Sequence, residues 1–146
     1  MSCSNLKNNN DVQLEKLGFI EIQSNETYIS KLIETNIKNA FEVYETKNSS
    51  EKKYTMIIDV NDTIESSLLA NSIRKIEMSI NYKIVEKNSN IVLVSDSFSR
   101  NSLVGPVNSL FSRDQSELNA RKRLGISISN DLIIRLIEWA SFDLET

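Results

Sequence analysis

Apolar and polar residues alternate most regularly in the middle of the chain. Between residues 75 and 84 every second residue is apolar, namely Ile76, Met78, Ile80, Tyr82 and Ile84. Successive side chains of a β-strand point to opposite faces, so the pattern predicts a strand with one buried and one wet face. An apolar segment at 54–60 predicts an earlier strand. The polar turn at 86–90 and the apolar run at 91–94 predict a hairpin, whose more polar continuation at 95–100 should project beyond the core.

Two other segments have the three- and four-residue period of amphipathic helices. The first runs from Ile29 to Tyr44, after cap-type residues at 24–27. The second begins at the capping-box pattern Ser112-x-x-Gln115 and continues for roughly 25 residues. Residues 17–22 predict a short strand, and the segment at 101–111 predicts the longest irregular connection.

The order of these elements predicts an α+β fold. Residues 1–16 are polar and aperiodic and predict a flexible N-terminal leader, followed by a single domain over residues 17–146. Amphipathic helices and a sheet with one apolar face bury their apolar sides against each other. We therefore expect a two-layer sandwich, with a mainly antiparallel four-stranded sheet and two helices on one face (β-α-β-β-β-α). The opposite face of the sheet is left for water or for a partner.

Composition removes several classes of chemistry. The 146 residues contain no histidine and a single cysteine, Cys3. An internal disulfide, a His/Cys zinc site and Ser-His-Asp or Cys-His catalysis are therefore excluded. Gly18, Gly105 and Gly125 are too far apart for a phosphate-binding loop. We expect a protein that is not an enzyme and that uses no cofactor.

Charge and hydropathy limit the partners. The net charge of −3 gives no reason to expect nucleic acid. No apolar run approaches the ~18 residues that span a bilayer. The candidates for contact with an anionic ligand or a partner are Lys83, on the wet side of the alternating strand, and Arg100 and Arg113, which flank the irregular connection.

Other charged clusters have an ordinary structural interpretation beside a functional one. Asp59, Asn61, Asp62 and Glu65 could ligate a cation, but no glycine accompanies them, which favours a solvated strand end. The basic run at 121–123 could bind an anionic headgroup. A solvated helix face, with Glu117 paired to Arg121, is favoured.

Two further features fit a binding protein. Trp139 lies one position beside the apolar stripe of the last helix, as an aromatic residue at the edge of the core does. Gly105-Pro106 marks the connection before that helix as a contact region, because loops on a rigid sheet commonly carry function.

Cys3 is the most informative single residue. A free cysteine is usually buried, whereas this one lies in a polar leader. It is either an incidental exposed thiol or the lipidated first residue of a bacterial lipoprotein, which we favour. A cysteine followed by a polar leader suits a domain tethered to a membrane by acyl chains.

The overall layout resembles the LPS-assembly lipoprotein family, LptE, of Gram-negative outer membranes. The resemblance covers roughly residues 15–140. It rests on Cys3 and its leader into Gly18-Phe19, the helix at 28–37, the strands at 54–60 and ending at 80–85, and the final helix from 115–120 to 133–136. In the final helix Glu117, Ala120, Ile128 and Leu132 fit the family pattern loosely, and no lipopolysaccharide-contact residue can be aligned.

The resemblance implies a lipoprotein of the outer membrane that faces the periplasm. Such a protein would plug the β-barrel subunit of the LPS translocon, assist its assembly, help insert LPS at the cell surface and contact lipopolysaccharide itself. A wet outer face would suit a polar barrel lumen. Ser4 after Cys3 agrees with sorting to the outer membrane.

Two alternatives stay open. The chain could be an auxiliary lipoprotein of an ABC-type lipid transport system. It could also be a soluble cytoplasmic binding module in which Met1 is the true start. An export signal encoded upstream of Ser2-Cys3 would argue against the cytoplasmic alternative.

Overall fold

The computed structural model describes residues 13–66, 73–106 and 109–142. The strands are β1 (Ile20–Ser24), β2 (Tyr54–Ser66), β3 (Arg74–Glu86) and β4 (Val92–Val104), and the helices are α1 (Tyr28–Phe41) and α2 (Leu110–Ser141). Short 3₁₀ helices occupy Glu15–Phe19 and Glu42–Tyr44. The order β-α-β-β-β-α and the α+β class are confirmed.

The four strands form one sheet in the order β1-β2-β3-β4. β2, β3 and β4 pair antiparallel in chain order, whereas β1 pairs parallel to β2. The parallel pair follows from the connection, because α1 carries the chain back along the sheet before β2 begins. The sheet is therefore mixed, and mainly antiparallel as predicted.

The core lies between one face of the sheet and the two helices. The alternation in β3 is confirmed, since Ile76, Met78, Ile80 and Ile84 are fully buried. α2 contributes Leu124, Ile128, Leu132 and Leu136 at helical spacing, and α1 contributes Ile29, Ile33 and Ile37. Contacts of α1 with α2 and of both helices with the strands close this layer.

Three predicted boundaries were wrong. Leu17–Phe19 belong to a 3₁₀ helix, and Leu14, inside the predicted leader, packs against the core. β2 continues to Ser66 because β3 offers thirteen paired positions along it. The N-cap of α2 is Ser109, whose Oγ accepts the amide N–H of Ser112 at 3.1 Å, so Ser112 lies within the first turn.

The prediction that β4 projects beyond the core was also wrong. β4 pairs with β3 up to Val104, which is buried, and Phe98 is half-buried. The charged residues of β4 that point towards the helices, Asp96 and Arg100, form ion pairs with α2. These ion pairs provide partners for charges on an inward face that has few apolar side chains. In the described ranges, no helix is long and apolar enough to cross a membrane.

Candidate docking surface

The face of the sheet that points away from the helices is the candidate site. We call it the outer face. The strand register lines up its residues in rows across β2, β3 and β4. Five consecutive rows are Ile57–Lys83–Ser95, Asp59–Asn81–Ser97, Asn61–Ser79–Ser99, Thr63–Glu77–Asn101 and Glu65–Lys75–Leu103, and the mostly apolar row Thr55–Val85–Val92 precedes them. None of these residues is buried, so the face lies open along all three long strands.

A shallow concavity of about 520 Å³ lies on the outer face. Ile57, Asp59, Asn81, Lys83 and Ser97 contribute to its lining. The surface offers hydrogen-bond donors and acceptors over a wide area, and its exposed apolar side chains are Ile57, Val92 and Leu103.

The charges of the rows nearly cancel. The acidic residues are Asp59, Glu65 and Glu77 and the basic ones are Lys75 and Lys83, so the sum is 2 − 3 = −1. Lys75 Nζ lies 3.6 Å from Glu77 Oε2 on the same strand. Such a mixed surface favours a polar partner over a strongly anionic one.

The structure does not bring the three predicted contact residues together. Lys83 is exposed on the outer face and lines its concavity. Arg100 points to the opposite face of the sheet, where it pairs with Asp131 of α2. Arg113 is in the first turns of α2, and its Nε lies 3.5 Å from Oε1 of Glu117. Both arginines therefore already face a carboxylate.

The ion pairs between β4 and α2 were not predicted from the sequence. Asp96 Oδ2 lies 2.7 Å from Arg135 Nη1, and Arg100 pairs with Asp131. The guanidinium carbon of Arg135 also lies 4.3 Å from the centre of the Phe98 ring. The one available signal was that each element has an acidic residue four positions before a basic one. The acidic residue of each element can therefore pair with the basic residue of the other when β4 and α2 run in opposite directions. We call these contacts the β4–α2 ion pairs.

The predicted Glu117–Arg121 pair was wrong. Arg121 Nε instead lies 2.7 Å from Asp62 Oδ2 of β2. Glu117 contacts Arg74, the first residue of β3, and this pair is almost completely buried. Burial lowers the pKa of the Arg74 guanidinium from its ordinary value. The basic run at 121–123 is thus partly used to hold α2 against β2.

A second buried charge lies between α1 and the end of β1. Glu34 accepts hydrogen bonds from Lys38 Nζ at 2.7 Å, Ser24 Oγ at 2.6 Å and Lys31 Nζ at 3.2 Å. Burial of Glu34 opposes ionisation, but these hydrogen bonds outweigh it and lower the pKa of Glu34 to about 2. The carboxylate is held ionised by its neighbours, which suits a structural role rather than proton transfer.

The remaining sequence candidates have clear positions. Asp59 lies on the outer face and Asp62 faces α2, and no described group of three acidic, histidine or cysteine residues is placed to hold a metal ion. Trp139 is partly buried against the core, with its ring 5.6 Å from that of Tyr54, as expected for an edge aromatic. Gly105-Pro106 is exposed after β4. Cys3 lies outside the described residues.

The fold is shared with bacterial lipoproteins. A predicted lipoprotein of Caulobacter crescentus CB15 superposes with a TM-score of 0.72 over 92% of this chain and 99% of that chain, at 11% identity. A minor lipoprotein of Acinetobacter baumannii superposes with a TM-score of 0.59 over 82% of this chain and 91% of that chain, at 10% identity. Rare lipoprotein B of Shewanella oneidensis superposes with a TM-score of 0.56 over 87% of this chain and 98% of that chain, at 12% identity.

These likenesses cover nearly the whole length of each neighbour and show a common fold. No protein-family model matches the sequence, and no curated protein is significantly similar to it. The described residues thus adopt an architecture that several bacterial lipoproteins share, at sequence identities that leave the site residues free to differ.

Proposed function

We propose that the chain is an outer-membrane lipoprotein, anchored through Cys3, that plugs and helps assemble the β-barrel subunit of the lipopolysaccharide translocon. The observation that carries this proposal is the open outer face, which carries polar side chains in every row across three long strands. The interior of a membrane β-barrel is also polar, and it accepts a hydrophilic plug.

The fold supports the lipoprotein part of the proposal. Three Gram-negative lipoproteins share it, with TM-scores of 0.56 to 0.72. Cys3 precedes the first described residue in the sequence by ten positions. Stable anchoring requires more than one acyl chain, which diacylation of an N-terminal cysteine provides.

The charge of the outer face supports a protein partner. With acidic residues outnumbering basic ones by three to two, the rows carry no positive patch that would attract an anionic lipid on its own. Contact with lipopolysaccharide, in this proposal, takes place within the assembled translocon and relies on groups of both proteins.

Site-specific photo-crosslinking in the native envelope tests the proposal. A photoreactive residue at Asn81, within the outer face, should cross-link the protein to a large outer-membrane β-barrel. The same residue at Ile126, which is 47% exposed on α2, is the matched control and should give little of this adduct. Mass spectrometry of the native N-terminus should show acylated Cys3.

The other outcomes contradict the proposal in distinct ways. Cross-linking of Asn81 to a subunit of an ABC-type lipid transporter would establish the alternative lipoprotein function. An unmodified chain that begins at Met1 would indicate a cytoplasmic binding module. Recovery of a lipidated protein that is free of any barrel would leave the anchor intact and refute the plug.

A further inference from the structure

β4 has a free edge. Twelve of its thirteen residues pair with β3 on one side, Leu93 lies at a bulge, and no other described strand pairs with β4. The amide of Ser97 donates instead to Oδ1 of Asp96 on the same strand, at 2.8 Å. An unpaired strand edge presents a row of backbone donors and acceptors that can add another strand. β4 also contains neither lysine nor proline, the residues that most often protect such an edge.

The sequence of β4 is nearly symmetric about its central residue, Phe98. Serines flank it at 97 and 99, opposite charges follow at 96 and 100, and small polar residues follow at 95 and 101. Two antiparallel copies of β4 with Phe98 opposite Phe98 therefore place Asp96 of each copy opposite Arg100 of the other. Directly opposed side chains of opposite charge stabilise an antiparallel pair.

We propose that two copies of this chain associate through β4, antiparallel and with a two-fold axis at Phe98, to form one continuous eight-stranded sheet. A two-fold interface uses the same surface on both copies, so the surface must be self-complementary, and β4 meets this requirement. The proposal does not depend on the proposed function, because pairing at the edge leaves the outer face open.

The β4–α2 ion pairs strengthen the argument. Within one copy, Asp96 already contacts Arg135 and Arg100 already contacts Asp131. Pairing of the strands joins these into two chains of alternating charge, each running from Asp131 and Arg100 of one copy to Asp96 and Arg135 of the other. Charges of both signs are then neutralised at the interface, as interfacial complementarity requires.

The same charges select one register and direction. Parallel strands in register would oppose Asp96 to Asp96 and Arg100 to Arg100, and like charges directly opposite are destabilising. An antiparallel shift by two residues would leave both charges opposite uncharged residues. Inward-pointing charges usually prevent an edge strand from pairing. Here they disfavour the parallel and the shifted arrangements of two β4 strands and favour the antiparallel one centred on Phe98.

Charge reversal gives the first test, by measuring the molar mass of the full chain in solution. We expect wild type to dimerise. Asp96→Arg and Arg100→Asp should each raise the dimer dissociation constant at least about tenfold, because each puts like charges opposite at two symmetric positions. Glu77→Arg, on the outer face of β3, makes the same charge change as Asp96→Arg and should leave the dimer intact.

Mixing the two variants is the decisive measurement. In a heterodimer of Asp96→Arg with Arg100→Asp, every opposed pair is again of opposite sign, so the mixture should dimerise more tightly than either variant does alone. A monomeric wild type, a wild type that pairs only with an extended strand of another protein, or a mixture of folded variants that stays monomeric would overturn the proposal.

Cysteine cross-linking tests the register with all charges in place. In a Cys3→Ser background, Ser97→Cys in one copy and Ser99→Cys in the other should form a disulfide, because facing residues of antiparallel strands lie about 4.5–5.5 Å apart between Cα atoms, within disulfide range. Ser79→Cys, on the outer face, is the control and should not cross-link. Failure of the mixed pair to cross-link faster than this control would also refute the pairing.

Discussion

The buried carboxylate of Glu34 should make the stability of the protein depend on pH in a defined window. The perturbation is Glu34→Gln, which removes the charge and keeps the size of the side chain. Lys38, Ser24 and Lys31 all donate to this carboxylate, and they would then face a neutral amide.

The magnitude follows from the pKa of Glu34. The folded pKa is about 2, below the ordinary value of 4.5 that applies to the unfolded chain. A carboxyl group with a lowered folded pKa stabilises the protein above its unfolded pKa, and loses that contribution as the pH falls towards the folded pKa. The difference corresponds to about 3 kcal/mol at pH 7, and it should fall to about 1 kcal/mol near pH 3.

Urea unfolding between pH 2 and pH 7 measures this effect. The free energy of unfolding of wild type should exceed that of Glu34→Gln most at neutral pH, and the two curves should converge below about pH 3. Glu42→Gln removes an exposed carboxylate just after α1 and serves as the matched control. Curves for wild type and Glu34→Gln that stay parallel across this range would refute the reasoning.

Two other predictions concern packing. Ile80→Asp places an unpaired charge at a fully buried site and should unfold the domain, whereas Lys83→Glu on the outer face should leave the thermal melt nearly unchanged; a stable Ile80→Asp protein would contradict the assignment of the inward face. Gly18→Ala should destabilise the fold by about 1–3 kcal/mol in chemical unfolding, because a Cβ there would lie 2.5 Å from the carbonyl oxygen of Tyr44. Gly105→Ala meets nothing within 4 Å and is its control, so equal losses for the two variants would count against this explanation.

The sequence predicted the elements that bury one clear face. The alternation from Ile76 to Ile84 defined β3, and the helical spacing of Leu124, Ile128 and Leu132 defined α2. In these segments, local period and tertiary burial agree, so the pattern alone is sufficient.

The errors occur where polar residues find partners far away in sequence. Asp96 and Arg100 make β4 look like an exposed extension, yet their partners lie more than thirty positions later in α2. Glu117 has the spacing of a helical ion pair with Arg121, but it forms its ion pair with Arg74, 43 positions away in sequence. Choices between two such partners depend on the packing of α2 on the sheet, which no local pattern contains.

The same limit applies to the candidate site. Its location followed from the polar side of β3, which one strand displays by itself. The separation of Lys83 from Arg100 did not, because it depends on which side of β4 faces the helices. That orientation was set by pairing with β3, and a shift of one residue would have reversed it.

The connection at the start of the fold also fixes the end of the sheet at which the described chain begins. The amide of Lys53 donates to the carbonyl of Phe19, and the amide of Lys87 donates to that of Lys53, so the first packed turn adjoins the β3–β4 turn. The described chain therefore begins at this pole of the sheet. The opposite pole, where Leu110 and Phe111 of α2 are exposed, lies at the far end of the three long strands.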